Sequence, residues 1–204
     1  MNPECASPAV AVVDAPWAEL QQRVRGAVVS PADPCYDQMR QGWNLRVDQH
    51  PALLVVAATA ADVAEAVRYA RAHDLGIAVQ STGHGTVRPA AADDLLIVTS
   101  RLSGVRVDVE THTAWVGAGA KWAAVLDHAQ AVGLAPLLGS SPDVGVVGYT
   151  LGGGMGWLAR KYGLAADHVH HFELVTVDGE LLRASATENP DLFWALRGGG
   201  GGLG

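Results

Sequence analysis

The chain has 204 residues, 49% of them apolar and 17% charged, a balance that builds a core and excludes a disordered polyelectrolyte. A formal charge of −7, with only 14 Lys and Arg scattered along the chain, excludes a basic nucleic-acid surface. It leaves room for a small anion held by backbone N–H groups.

The first twenty residues include Glu4 and Asp14 and no basic segment, so no secretory leader is predicted. Cys5 and Cys35 stand in no metal or redox spacing; reduced thiols and a cytoplasmic location are the expectation. Residues 1–35 read as a weakly specified lead-in with one helix over 15–28. LLVVAA (53–58) predicts a buried strand from its continuous apolar run. Thr59 then stands three residues before Asp62, the pattern of a capping box. Val63, Ala66, Val67 and Ala70 follow at helical spacing and Gly76 closes the helix. A buried strand at 77–80 runs into a Gly/His turn, and LLIVTS (95–100) is the next strand.

Beyond residue 104 hairpins dominate. VRVDVE (105–110) and THTAWV (111–116) predict one, and HFELVTVDGELLRAS (171–185) predicts another through Asp178-Gly179. KWAAVLDHAQAVG is an amphipathic helix ending at Gly133. TENPDLFWALRG is a helix with Thr187 as its cap, Pro190 in the first turn and Gly198 at the end. This mixture predicts an α+β fold with two subdomains, at about 50–103 and 104–204, within a domain spanning 36–204. The closing RGGGGGLG brings no further element, and the chain is expected to be the front part of a longer protein. The longest uncharged run, residues 144–159, is 16 residues with six glycines. A membrane span needs roughly 20 apolar residues, so none is predicted.

Three glycine sites compete as ligand sites. VGAGAKW (116–122) imitates a dinucleotide fingerprint, but its third glycine would fall at Trp122, whose bulk blocks helix–strand contact; a structural turn is the reading. No glycine is followed by Lys and Ser or Thr as a P-loop requires. The remaining pair is QSTGHG (80–85) and SSPDVGVVGYTLGGGMGW (140–157). Small residues leaving a strand form a nest of N–H groups suited to pyrophosphate. The second stretch strips side chains from a long surface, against which a planar or extended ligand can lie. His168, His170 and His171 form an HxHH cluster. On a strand His168 and His170 would share one face with His171 opposite, and no thiol or carboxylate nearby completes a site, so no metal is predicted.

QSTGHG, VGAGAKW, SSPDVGVVGYTLGGGMGWLARKYGLAADHV, VTVDGELLRAS and NPDLFWALRGGGGG follow one another in this order. Together they resemble the FAD-binding domain of the vanillyl-alcohol oxidase/p-cresol methylhydroxylase (PCMH-type) superfamily, closest to the berberine-bridge-enzyme-like oxidoreductases. The resemblance runs from about Tyr36 onward and implies a PCMH-type FAD-binding fold, cut before the substrate-binding domain. It implies that Gln80, Ser81, Thr82, Gly83, His84 and Gly85 hold the FAD pyrophosphate, with His84 bonding the flavin 8α carbon. Gln80 and Thr82 stand where many relatives carry Arg and Gly, which shifts the phosphate contact toward N–H groups and hydroxyls. Ser141 stands where many relatives carry a second flavin-linking cysteine, so at most one covalent link is expected.

The resemblance further places the cofactor against Ser141, Val144, Gly145, Gly148, Tyr149, Gly152 and Gly153, with the strand at Leu174 on the adenine side. The implied activity is oxidation of an alcohol, sugar or related small molecule by hydride transfer to FAD, with O2 or another acceptor taking the electrons. The catalytic base of such enzymes belongs to the later domain, so no catalytic residue is assigned and the fragment alone is expected to be inactive. The competing readings are a non-catalytic fragment and a noncovalent FAD module without turnover.

Overall fold

The computed structural model of the protein describes residues 16–200, and these fall into two compact units. The first comprises residues up to Arg101 together with Val177–Glu180. It opens with α1 (Ala18–Arg23) and then β1 (Ala27–Val29). The single helix expected over 15–28 is therefore corrected. It stops at Arg23 because Val24 is already extended (φ −103°, ψ 145°), and the β-branched Val28-Val29 pair joins a sheet instead.

α2 (Tyr36–Arg40) leads to β2 (Leu53–Val56), α3 (Ala60–Ala72), β3 (Gly76–Gln80) and β4 (Asp94–Val98). The sheet order is β1-β2-β4-β3. β1 runs antiparallel to β2, while β2 and β3 both run parallel to β4. Leu54, Leu95, Leu96 and Ile97 are fully buried, each stabilising the fold by roughly 1.5–3 kcal/mol through lost apolar exposure. β3 corrects the expectation of a buried strand. It lies on the sheet edge, and Ile77 and Val79 are 40% and 55% exposed while Gln80 is buried. At α3 the cap forms as the spacing predicts, with Thr59 accepting from the Asp62 N–H.

The second unit comprises Leu102–Thr176 and the chain from Leu181 onward. β5 (Val105–Asp108) and β6 (Thr113–Val116) form an antiparallel hairpin, followed by α4 (Trp122–Gln130). The glycine-rich stretch folds into two short helices, α5 (Val146–Leu151) and α6 (Ala159–Tyr162), then a 3-10 turn at Ala165–His168. β7 (His171–Val175) and β8 (Leu181–Ser185) form the second hairpin, closed by residues 176–180, and α7 (Pro190–Leu196) packs on it. Ala184, Phe193 and Leu196 form the buried cluster there, with Leu151, Leu174 and Leu182 against it.

Three expectations change. α7 is entered through Asn189 in the left-handed region (φ 49°), not capped by Thr187, whose N–H bonds Ser185 Oγ. The histidine triplet is not on one strand: His168 ends the 3-10 turn, and only His171 enters β7. Cys35 is disulfide-bonded, which removes the thiol argument for a reducing, cytoplasmic location. Cys5, the lead-in to residue 15 and the last four residues lie outside the described residues. Among the described residues no helix is long and apolar enough to cross a membrane, and no group of three potential metal ligands occurs.

Candidate functional site

In the first unit, β3 and β4 are parallel and in register up to Gln80↔Val98. The chain leaves β3 at its carboxyl end, where open parallel sheets place ligands. Residues 81–85 make the turn there. Gly83 has φ +75°, and a Cβ on it would stand 2.5 Å from Gly42 Cα. The segment 41–43 is thus pressed backbone to backbone on the turn, and Trp43 N–H donates to Thr82 O at 2.8 Å. Gly83→Ala combines left-handed strain with a backbone clash that cannot give way. It is expected to cost about 3 kcal/mol, read as a lower urea midpoint at unchanged m-value.

His84 is oriented from two sides. Its Nδ1 lies 2.9 Å from Thr82 Oγ1, and its ring stacks on the Trp43 indole with centroids 4.3 Å apart and planes 13° from parallel. Ser81 Oγ is buried without a hydrogen-bond partner, and a Cβ on Gly85 would meet nothing within 4 Å. Gln80 turns the other way. It is 5% exposed; its amide donates to Gln41 O at 3.2 Å and accepts from Gln49 Nε2 at 2.7 Å. Gln49 also donates to Arg40 O at 3.0 Å and accepts from Ala90 N–H at 3.3 Å. The Gln80 side chain therefore ties segment 40–49 to the turn, while its carbonyl accepts from Thr99 N–H at 2.9 Å in the sheet. Asp48 at the end of that segment is held below the usual carboxylate range, first by the Arg40 guanidinium and then by His50.

In the second unit, residues 142–146 run along the start of α4. Trp122 N–H donates to Val144 O at 3.0 Å, Ala123 N–H to Pro142 O at 2.9 Å, and Val146 N–H to Ala120 O at 3.0 Å. Gly145, buried, ends this stretch and α5 begins. The glycines then separate into two kinds. Gly154 and Gly156 are packing glycines: a Cβ would lie 2.6 Å from Ala165 Cβ and 2.1 Å from Leu138 O respectively. Gly153 is buried with φ +103°. Gly148 and Gly152 are exposed and four residues apart, so they share one side of the helix. A Cβ on Gly148 would meet nothing within 4 Å.

Ser141 and Val144 are half-buried at the rim. Tyr149 faces inward: its ring meets Trp122 edge-on at 5.4 Å, its hydroxyl donates to Leu137 O at 3.3 Å, and burial pushes its phenol pKa up. Leu174 pairs with Leu182 in the hairpin, and its half-buried side chain packs against the Phe193 cluster. Trp43 and Gln49 escape sequence reasoning, since each acts through a partner more than thirty residues away.

A parallel strand pair ending in a turn rich in glycine and hydroxyls is the construction of a nucleotide-cofactor domain. A family model described as an FAD binding domain matches residues 51–185, and the chain belongs to that family. (R)-6-hydroxynicotine oxidase of Paenarthrobacter nicotinovorans is 37% identical over 182 residues, covering 89% of this chain and 40% of the relative. Among solved structures, BBE-like 1 of Physcomitrella patens superposes with a TM-score of 0.84 at 28% identity, covering 93% of this chain and 42% of that one. Phl p 4.0202, a glucose dehydrogenase, superposes with a TM-score of 0.77 at 29% identity, over 85% of this chain and 38% of that one. The chain thus spans about two fifths of these relatives and carries their PCMH-type FAD-binding fold. The residues of each unit, taken by itself, fit a part of FAD: in the first, the buried Ser81 hydroxyl lacks a partner and a Cβ on Gly85 would meet nothing within 4 Å; in the second, the same openness lies over Gly148.

Proposed function

We propose that the chain is the FAD-binding part of a flavin-dependent oxidoreductase that oxidises an alcohol, sugar or related small molecule, with O2 as acceptor and His84 as the flavin link. The observation that carries this reading is His84 itself, fixed by Thr82 and Trp43 on a glycine turn at the carboxyl end of β3. A nicotine oxidase and a glucose dehydrogenase among the similar proteins support the redox class and small-molecule substrates.

The bound isoalloxazine supplies the chemistry, accepting a hydride and passing the electron pair on. The chain's own residues bind and orient. Ser81 and Thr82 hydroxyls and the N–H groups of 81–85 receive the pyrophosphate, compensating its charge without a basic side chain. Gly148 and Gly152 present bare backbone to a flat ring, with Ser141, Val144 and Gly145 at its border. Neutral imidazole is a nucleophile near neutral pH, and the fixed turn aims it.

The test is acid precipitation of the purified, flavin-loaded protein. Yellow colour is expected in the pellet of the parent and in the supernatant of His84→Ala. Colour released from the parent removes the His84 link and leaves a noncovalent module. Anaerobic bleaching of the flavin by a sugar, an alcohol or a hydroxylated N-heterocycle then identifies the substrate class, and no bleaching by any of them counts against turnover.

A further inference from the structure

Trp43 is 65% exposed, so it buries too little area for core stability to explain its placement. Its backbone is nevertheless fixed: its N–H bonds Thr82 O at 2.8 Å, and the neighbouring Gly42 is pressed against Gly83. The buried Gln80–Gln49 pair and the Gln80 bond to Gln41 O secure the same segment from below. What this anchoring delivers is one flat face at 4.3 Å from the His84 ring, 13° from parallel. Thr82 Oγ1 meets the ring's edge at Nδ1. A face contact and an edge contact together define both the plane of an imidazole and its rotation within that plane.

We propose, resting on the His84 linkage above, that Trp43 is a positioning residue that holds the imidazole in the orientation from which it bonds the flavin. In forming that link the 8α-methyl carbon and the imidazole each give up one proton and a carbon–nitrogen bond forms between them. The flavin takes up the electron pair and both protons, and dioxygen removes them as hydrogen peroxide. Trp43 touches none of the reacting bonds. It acts through His84 by restricting the ring, and an unrestricted ring spends most of its time misaligned.

Flavin-free protein mixed with FAD and precipitated with acid at intervals reads the rate of attachment. Trp43→Leu, similar in apolar character but without a ring face, is expected to slow attachment about ten- to a hundredfold. Noncovalent FAD uptake should be unchanged, and Trp43→Phe should restore most of the rate. In the flavin-free protein, the His84 ring protons are expected upfield by the indole ring current. That displacement should vanish in Trp43→Leu and persist in part in Trp43→Phe. An unchanged rate in Trp43→Leu, equal slowing in the Leu and Phe variants, or no ring-current displacement in the parent would each overturn the role of Trp43. Acid-stable flavin persisting in His84→Ala would instead overturn the linkage, and with it the reason for the positioning. The ring-current measurement then still reports the stacking on its own.

Discussion

Gly148→Leu is expected to leave the flavin-free protein at least as stable as the parent while weakening FAD binding a hundredfold or more. Stability should hold because a Cβ at 148 meets no atom within 4 Å, and leucine favours a helix over glycine by about 0.8 kcal/mol. Affinity should fall because four added carbons occupy the layer in which we place the flavin ring. A hundredfold loss corresponds to about 2.7 kcal/mol, a small demand for a clash that forces a planar ring off its support. Urea unfolding of the flavin-free variant and a flavin fluorescence titration read the two halves separately. Intact stability with undiminished FAD binding would move the flavin away from this side of α5.

The same substitution at Gly156 would give the opposite pattern. There a Cβ lies 2.1 Å from Leu138 O, so the fold fails before any ligand is offered. This contrast marks what a sequence can carry. The run YTLGGGMGW announces that backbone approaches something closely. Whether that something is a cofactor or another strand of the same chain is decided by partners such as Leu138 and Ala165, which no local pattern names. Elements fixed by near neighbours were legible: LLVV and LLIV as buried strands, and Thr59 with Asp62 as a cap. Elements fixed by distant ones were not. The three-residue β1 is a strand because β2 lies beside it. Gln80 reads as a phosphate contact until Gln49, thirty-one residues away, claims its amide. Tyr149 sits within a glycine-rich stretch, yet its ring goes to Trp122.

A large stability effect is expected at Asp62, a carboxylate 2% exposed that makes no ion pair among the described residues. Its Oδ1 accepts from Arg25 N–H at 3.0 Å and Thr59 Oγ1 at 2.8 Å; its Oδ2 accepts from Gly26 N–H at 2.9 Å and Ala58 N–H at 2.8 Å. One side chain thereby joins the loop entering β1, the turn leaving β2 and the first turn of α3. Asp62→Ala strands three backbone donors and a hydroxyl. At 1–3 kcal/mol for each buried unsatisfied group, and with partial access to water, a loss of about 3–5 kcal/mol is expected. Asp62→Asn keeps one acceptor and should fall between. Burial alone would push the Asp62 pKa up, but the N–H groups of Arg25 and Ala58, the Thr59 hydroxyl and Gly26 N–H outweigh it and hold the pKa below its ordinary value. An unfolded aspartate titrates near 3.9, so the stabilisation is complete above about pH 5 and is lost as pH falls through the lower, folded value. The stability gap between the parent and Asp62→Ala should therefore be full near neutral pH and narrow steadily below about pH 4. A gap that stays constant through that acid range would mean the carboxylate is not what holds the three segments. Because β2 and α3 lead directly into β3, the variant should also release FAD at lower urea than the parent does, even though Asp62 touches none of the residues assigned to the cofactor.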